Sequence, residues 1–163
     1  YTIVYGGKYV LFDPELLWSN TDEEKLGKNP KIIVRQTADS IIATLDVFGY
    51  LTMDTTHLIF DTRLDIKYIL GTLNSKLMNW YYQQMVVEEG RAFAEVKIAN
   101  LKQLPIQSDS VISRQIASKV QQILEAKKHS ANHDTAIVER EIDQLVYKLY
   151  GFTVEEIAIV ERK

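Results

Sequence analysis

The chain has 163 residues, of which 46% are hydrophobic and 25% are charged, and it contains no cysteine. This size and composition are typical of one globular domain with room for a helical appendage, and they argue against a disordered or membrane-embedded protein. The formal net charge of −3 argues mildly against a stand-alone nucleic-acid binder, although a local basic face remains compatible with it. Without cysteine, disulfides and cysteine-based metal sites or nucleophiles are excluded, which fits a reducing compartment.

The N-terminal third begins with strand-like and loop-like segments. Residues 1–12 are rich in tyrosine and β-branched residues and predict strand structure, whereas residues 18–30 are polar and charged and predict a loop. No apolar run approaches the ~18–20 residues of a membrane span, so we expect no membrane contact. The chain does not begin with methionine, so we expect it to be an excised piece of a longer protein.

Residues 31–60 contain three β-rich runs, at 32–34, 41–45 and 51–60, separated by turn-forming residues. Polar side chains are interspersed through all three runs. Because alternate side chains of a strand face opposite ways, the pattern predicts an antiparallel meander with one buried face and one polar face. That polar face is either a surface that contacts a ligand or the solvated side of an ordinary sheet.

A strongly helical segment follows the sheet. Asp65 is placed to cap its first turn, and apolar residues recur at steps of three and four. We assign Leu73, Leu77 and Trp80 of this stripe to the core. A loop at residues 88–91 and a short strand at 93–98 follow, and Pro105 ends the α+β part.

From residue 108 onward the pattern predicts two amphipathic helices in an antiparallel hairpin. Ser108 or Ser110 is expected to cap the first helix and Asp134 the second, which ends at Gly151. Thr153 and Glu156 have the spacing of a capping box for a short terminal helix. The hairpin needs a further apolar surface, either the preceding domain or a domain outside this chain.

Motifs of catalysis are weak or missing. The sequence has no glycine-rich phosphate-binding loop and no nucleophile elbow. Glu95-Val96-Lys97, with Asp61 or Asp65 upstream, resembles the acidic and lysine pattern of Mg²⁺-dependent nucleases, but a solvated strand face explains it more simply. His129 and His133 have metal-ligand spacing but lie in a polar connector, where solvation is the commoner explanation.

Several segments, taken in chain order, carry a family resemblance. They are 30–36 (PKIIVRQ), 50–59, 68–77 (YILGTLNSKL), a loop at Gly90, 101–106 ending in Leu-Pro-Ile, and the tail from Ile142 to Ile157. With these segments the chain resembles the TaqI-like C-terminal specificity domain, the target-recognition part of type IIG restriction–modification enzymes and related adenine-N6 DNA methyltransferases. Type I specificity subunits share this pattern and are the nearest alternative.

The resemblance implies that recognition and catalysis belong to two different domains, and that the catalytic domain lies outside this chain. A separate N-terminal methyltransferase domain would hold S-adenosylmethionine, and Mg²⁺ if the parent is also a nuclease, so we expect no cofactor in this fragment. The specificity domain would contact base edges in the major groove of double-stranded DNA while the target adenine is flipped into the catalytic domain. The fragment itself would be non-catalytic and cytoplasmic in a prokaryote.

Contact residues are predicted from their chemistry rather than from the resemblance. Arg35 suits guanine and Gln36 suits adenine, each through two hydrogen bonds, unless both are ordinary sheet residues. Threonines could contact bases or phosphates, and lysines and arginines could contact the backbone. The predicted DNA-binding set is Lys31, Arg35, Gln36, Thr37, Thr55, Thr56, Lys76, Arg91 and Lys97.

We therefore predict an α+β fold, with a small, mostly antiparallel sheet and a packed amphipathic helix, followed by a C-terminal helical hairpin. The predicted division places a DNA target-recognition domain at residues 1–107 and the hairpin with its terminal helix at 108–163. The competing hypotheses are a protein-interaction module that uses the apolar faces of the hairpin, and a Mg²⁺-dependent nuclease built on Glu95 and Lys97.

Overall fold

A computed structural model describes residues 3, 12–17, 19, 21–86 and 94–162 of the chain. The strand expected at 1–12 and the loop at 88–91 fall almost entirely outside these residues. Among the described residues, the elements in chain order are α1 (Glu23–Leu26), β1 (Lys31–Arg35), β2 (Ala43–Asp46), β3 (Thr56–Ile59), α2 (Ile66–Asn74), α3 (Lys76–Met85), α4 (Ile98–Leu101), α5 (Ser110–His129), α6 (Ala136–Leu149) and α7 (Val154–Glu161).

The strands form a small antiparallel sheet in the order β2-β1-β3, which confirms the predicted α+β class. β1 pairs antiparallel with both neighbours, so that Lys31 lies opposite Asp46 and Arg35 lies opposite Thr56. The expected meander order is wrong, because β1 rather than β2 is central. Since β2 and β3 then run in the same direction, the connection 47–55 has to return from the Lys31 end of the sheet to the Arg35 end.

The central position of β1 also explains why the predicted two-faced alternation fails. Its residues 31–34 are all buried, and only Arg35 at its end is exposed. A strand that is covered on both faces is usually a continuous apolar run, as Ile32, Ile33 and Val34 are here. The third predicted run is much shorter than expected, because only Thr56–Ile59 is strand.

The outer edge of β2 is occupied by two asparagine side chains rather than by another strand. The Nδ2 of Asn74 donates to the carbonyl of Ala43 at 2.9 Å, and its Oδ1 accepts the N–H of Ala43 at 3.0 Å. The Oδ1 of Asn79 accepts the N–H of Ile41 at 2.6 Å. These amides satisfy backbone groups that an edge strand would otherwise leave unpaired.

The predicted long helix is divided at Ser75 into α2 and α3. Ser75 ends the first helix with ψ 153 and caps the second, since its Oγ accepts the N–H of Met78 at 3.2 Å and donates to the carbonyl of Thr72 at 2.7 Å. A serine favours such capping over helix continuation. Leu73 and Leu77 are buried and Trp80 packs on the core, as predicted.

The C-terminal helices form the predicted hairpin, and its apolar stripe packs on α2. The close approach depends on Gly71 of α2, where a Cβ would lie 2.8 Å from a methyl carbon of Ile116 and of Val120 in α5. Residues of the sheet, α2, α5 and α6 belong to one hydrophobic cluster. The division at residue 107 stays a prediction.

The caps of the hairpin helices agree in part with the sequence. Asp109, rather than Ser108 or Ser110, caps α5, and its Oδ1 accepts the N–H groups of Val111 and Ile112 at 2.9 and 2.8 Å. At the start of α6, Asp134 accepts the N–H of Ala136 at 2.9 Å, but Thr135 holds the N-cap position. The Thr153–Glu156 capping box of α7 is confirmed, as is Gly151 after α6, with φ +70.

A buried carboxylate joins α3 to α6 and α7. The Oδ1 of Asp143 accepts the backbone N–H of Lys76 at 2.9 Å, and the residue is 7% exposed. The Lys76 ammonium pairs with Glu161, which also accepts the hydroxyl of Tyr147 at 2.9 Å. Burial raises the pKa of Asp143 to about 6, with the carboxylates of Glu161 and Glu139 adding to the shift.

We predict that Gly71→Ala destabilises the protein. Alanine gains about 1 kcal/mol of helix propensity over glycine, but forcing a methyl group into a filled core costs typically 1–3 kcal/mol, so we expect a net loss of up to about 2 kcal/mol. Urea unfolding measures the change, with Ser118→Ala on the exposed face of α5 as the neutral control. A higher unfolding midpoint for Gly71→Ala than for the wild type would contradict the close packing of α2 on α5.

A second prediction concerns pH. Because the pKa of Asp143 rises from 3.8 to about 6 on folding, the folded state binds more protons between these values, and the contribution of Asp143 to stability falls as pH rises through this window. The change is at most about 3 kcal/mol. Asp143→Asn keeps the acceptor for Lys76 and should flatten the unfolding free energy between pH 4 and pH 6, whereas the exposed Glu24→Gln should leave that slope unchanged. Parallel pH profiles for wild type and Asp143→Asn would contradict the shift.

Candidate nucleic-acid interface

One end of the sheet brings together six of the nine predicted contact residues. Arg35 ends β1 opposite Thr56, the first residue of β3, and the N–H of Gln36 donates to the carbonyl of Thr55 at 3.0 Å. Thr37 follows directly. We call this surface the Arg35 end and define it as residues 35–37, 54–56 and 95–97.

The segment 95–97 is fixed to this end by backbone and side-chain hydrogen bonds. The N–H of Val96 donates to the carbonyl of Gln36 at 2.7 Å, and the Nε2–H of His57 donates to the carbonyl of Val96 at 2.6 Å. Val96 is fully buried, whereas Glu95 and Lys97 on either side are exposed. Of the strand predicted at 93–98, the described residues 94–98 form one antiparallel bridge, Thr37 to Glu95, and Ile98 begins α4.

The Arg35 end exposes hydrogen-bond donors and acceptors, and it carries both positively and negatively charged side chains. Arg35, Thr37 and Thr55 are exposed, while Gln36 and Thr56 are half-buried. The hydroxyl of Thr56 donates to the carbonyl of Met53 at 2.9 Å, so its oxygen is left as an acceptor. Exposed guanidinium, amide, hydroxyl and carboxylate groups are the ones that contact base edges in the major groove.

Lys31, one of the predicted phosphate contacts, lies at the opposite end of the sheet and is fully buried. Its ammonium pairs with Asp46 at 2.6 Å and donates to the carbonyl of Lys28 at 3.0 Å. Asp46 also accepts the N–H groups of residues 48, 49 and 50. Because both side chains have no exposed surface, the assignment of Lys31 to phosphate binding is wrong for this structure.

The turn held by Asp46 and the segment that follows it present apolar side chains to solvent, a feature that the sequence pattern did not predict. Phe48 is 75% exposed and Met53 is 61% exposed. Gly49, with φ +77, lies against the backbone of Gly27, where a Cβ would approach the carbonyl oxygen to 2.9 Å. The Phe48-Gly49-Tyr50 break in the sequence marked a turn, but burial of Asp46 could not be inferred from it.

Lys76 does not belong to the Arg35 end either. It is half-exposed, and both its ammonium and its backbone N–H are already used, by Glu161 and Asp143. An open cleft of about 340 Å³ lies at this junction, and two of its four charged lining residues, Lys76 and Asp143, take part in these contacts. The cleft is lined by Asn74, Lys76, Ala136, Glu139, Arg140 and Asp143. The remaining predicted residue, Arg91, lies outside the described residues.

The acidic residues of the nuclease hypothesis do not converge. Glu95 and Lys97 lie at the Arg35 end, whereas Asp61 follows β3 at the opposite end and pairs with Lys28 at 3.5 Å, and Asp65 caps α2. Within the described ranges, no group of three or more His, Asp or Glu side chains is placed to hold a metal ion. In the same part of the chain, no helix is both long and apolar enough to cross a membrane.

The comparison with known families now adds to this geometry. The model of the TaqI-like C-terminal specificity domain matches residues 1–106, which is more than half of the chain. The chain therefore belongs to this family, as its resemblance predicted. Membership supports a DNA-recognition domain of the kind found in restriction–modification enzymes, and such specificity domains are generally non-catalytic. No curated protein matches the chain.

The residues of segment 73–77 (LNSKL), which carries part of the family resemblance, each make contacts within the fold. Leu73 and Leu77 are core residues, Asn74 binds the edge of β2, and Ser75 separates α2 from α3. The Leu-Pro-Ile segment is likewise held in place, because the hydroxyl of Tyr150 donates to the carbonyl of Pro105 and that of Tyr68 donates to the carbonyl of Gln107. The contacts of these motifs are therefore contacts within the fold.

We predict that Lys31→Ala destabilises the protein strongly. Removing one partner of a buried ion pair leaves the other charge uncompensated, which costs about 3–5 kcal/mol. The control is Lys28→Ala, which removes an exposed ion pair worth ~0–1 kcal/mol. Chemical denaturation compares the two variants. Equal losses of unfolding free energy in the two variants would contradict the prediction, because Asp46 without Lys31 would then be hydrated or paired with another group.

Proposed function

We propose that the chain recognises a specific sequence in double-stranded DNA through the Arg35 end. The observation that carries the proposal is the convergence of Arg35, Gln36, Thr37, Thr55, Thr56 and Lys97 at one exposed end of the sheet. These residues come from three separate segments of the chain, 35–37, 55–56 and 97. The family match supports the proposal, because specificity is the function after which the family is named.

Each group at this end has a chemical counterpart on DNA. The guanidinium of Arg35 can donate two hydrogen bonds to O6 and N7 of guanine, and the amide of Gln36 can pair with N6 and N7 of adenine. The hydroxyl groups of Thr37 and Thr55 suit bases or phosphates, and Lys97 contributes charge towards the backbone. Phosphate contacts would position the domain, and the base contacts would select the sequence.

The protein that contains this domain is, in our proposal, an adenine-N6 DNA methyltransferase or a type IIG restriction–modification enzyme acting in the cytoplasm of a prokaryote. A separate domain would bind S-adenosylmethionine, and Mg²⁺ where a nuclease is present, and would receive the flipped adenine. In our proposal both groups are held by that separate domain, and neither is assigned to this chain.

The structure of the hairpin does not support the hypothesis of a protein-interaction module. That hypothesis required the hairpin to expose a large apolar patch. Instead, Ile116, Val120 and Ile123 of α5 are fully buried, as is Val146 of α6, and the exposed Val111 and Ile137 lie in the first turns of two antiparallel helices and so at opposite ends of the hairpin. The DNA-recognition hypothesis is therefore the better supported one.

The test is selection from a random-sequence duplex pool by the intact protein, at low and moderate salt, with S-adenosylmethionine present. We expect one short motif to be enriched, and the Arg35→Ala, Gln36→Ala pair to relax it, since each bidentate base contact contributes about 1–3 kcal/mol of discrimination. The matched control is the pair Arg140→Ala, Gln144→Ala, the same residue types exposed on α6.

Two results would contradict the proposal in different ways. If the wild type enriches no motif and its binding only weakens as salt rises, sequence-specific recognition is ruled out. An enriched motif that the Arg35, Gln36 pair leaves unchanged, or that the Arg140, Gln144 pair disturbs equally, would move the base contacts away from β1.

A further inference from the structure

Glu95 places an exposed carboxylate inside the Arg35 end. It forms the antiparallel bridge with Thr37, so the two side chains lie on the same side of the bridged segments. DNA carries one negative charge per about 1.7 Å of its axis, and an acidic side chain at a DNA contact surface therefore weakens binding unless it gains a specific partner. A carboxylate is acceptor-only, so that partner has to be a donor on a base edge.

We infer that Glu95 is a specificity-determining residue, which accepts a hydrogen bond from the N4 amino group of a cytosine in the major groove. The inference rests on the proposed function and assigns a base to one position of the site. Cytosine is the base whose major-groove edge offers a donor without a strong acceptor beside it. Adenine offers a donor at N6, but its N7 acceptor lies next to it and would repel a carboxylate.

The same carboxylate excludes the remaining bases. Guanine presents two acceptors, O6 and N7, and thymine presents O4 and a methyl group. Neither offers a donor, so each would leave Glu95 desolvated and unpaired against an acceptor. Specificity of this kind arises as much from repulsion of the wrong base as from attraction of the right one.

The backbone of Glu95 is held in place before DNA arrives. Its neighbour Val96 is fully buried and is hydrogen-bonded on both backbone groups, to Gln36 at 2.7 Å and to His57 at 2.6 Å. Because the segment is already ordered, little conformational entropy remains to be lost there on binding. A residue used for sequence discrimination needs such support, since a loosely held side chain would adapt to several bases.

The other acids near this end are less well placed for the role. The Oδ1 of Asp39 accepts the hydroxyl of Ser40 at 3.1 Å, so its carboxylate is partly occupied locally. Asp54 belongs to the turn that precedes β3 and has a shorter side chain. Glu95 combines the longer side chain with direct pairing to Thr37, next to Gln36 and Arg35.

The experiment repeats the selection from a random duplex pool with the intact protein and three forms: wild type, Glu95→Gln and Glu24→Gln. Glu24 is an exposed acid of α1, so its substitution removes the same charge away from the Arg35 end. We expect one cytosine of the wild-type motif to lose its selection in Glu95→Gln, or to change to adenine, with discrimination reduced by about 5- to 150-fold. Glu24→Gln should keep that cytosine.

The outcomes separate the inference from the proposed function. A wild-type motif that Glu95→Gln leaves unchanged, or a motif without a cytosine, overturns the role of Glu95 while sequence recognition stands. Uniformly tighter binding by both variants, without a change of motif, assigns Glu95 only a charge effect and also overturns the inference. If the wild type enriches no motif, the proposed function fails and the inference fails with it.

Discussion

The buried ion pair between Lys31 and Asp46 sets the register on which the rest of the sheet depends. The two residues face each other across β1 and β2, and neither side chain reaches solvent. If β2 slipped by one residue against β1, both charges would be buried without a partner, at a cost of several kcal/mol per ion. A slip would also turn the buried residues of β2 to the other face. The pair therefore favours the observed register of β1 against β2, in which Arg35 is the last residue of β1.

The chain uses two kinds of polar residue that look alike in the sequence. Lys31 and Arg35 are four positions apart on one strand, yet one is a buried structural charge and the other an exposed candidate contact. Asn74 and Gln36 differ in the same way, because Asn74 is bound to the edge of β2 while Gln36 is half-buried at the candidate interface. Residue type alone predicts the possible chemistry, and position in the fold decides whether it can be used.

Much of the architecture could be predicted from periodicity and capping. The amphipathic stripe of α2 and α3, the hairpin, the capping box at Thr153 and the core positions of Leu73 and Leu77 all follow from local pattern. The central place of β1 could not be predicted, because sheet order depends on pairing between distant segments. Burial of Lys31 could not be predicted either, since it required Asp46 to lie opposite. Of the candidate site, the sequence could group Arg35, Gln36 and Thr37 because they are adjacent in the chain, whereas the pairing of Thr37 with Glu95 joins segments 58 positions apart.

The two amides on the edge of β2 have a consequence for assembly. An exposed strand edge invites pairing with a strand of another molecule, which leads to domain swapping or to fibres. At Ala43 both backbone groups are already bound by Asn74, and at Ile41 the N–H is bound by Asn79. A strand from outside would have to displace these bonds before it gained its own. The helices α2 and α3, which pack on the sheet, thus also cap its edge and keep it from being extended by a neighbouring molecule.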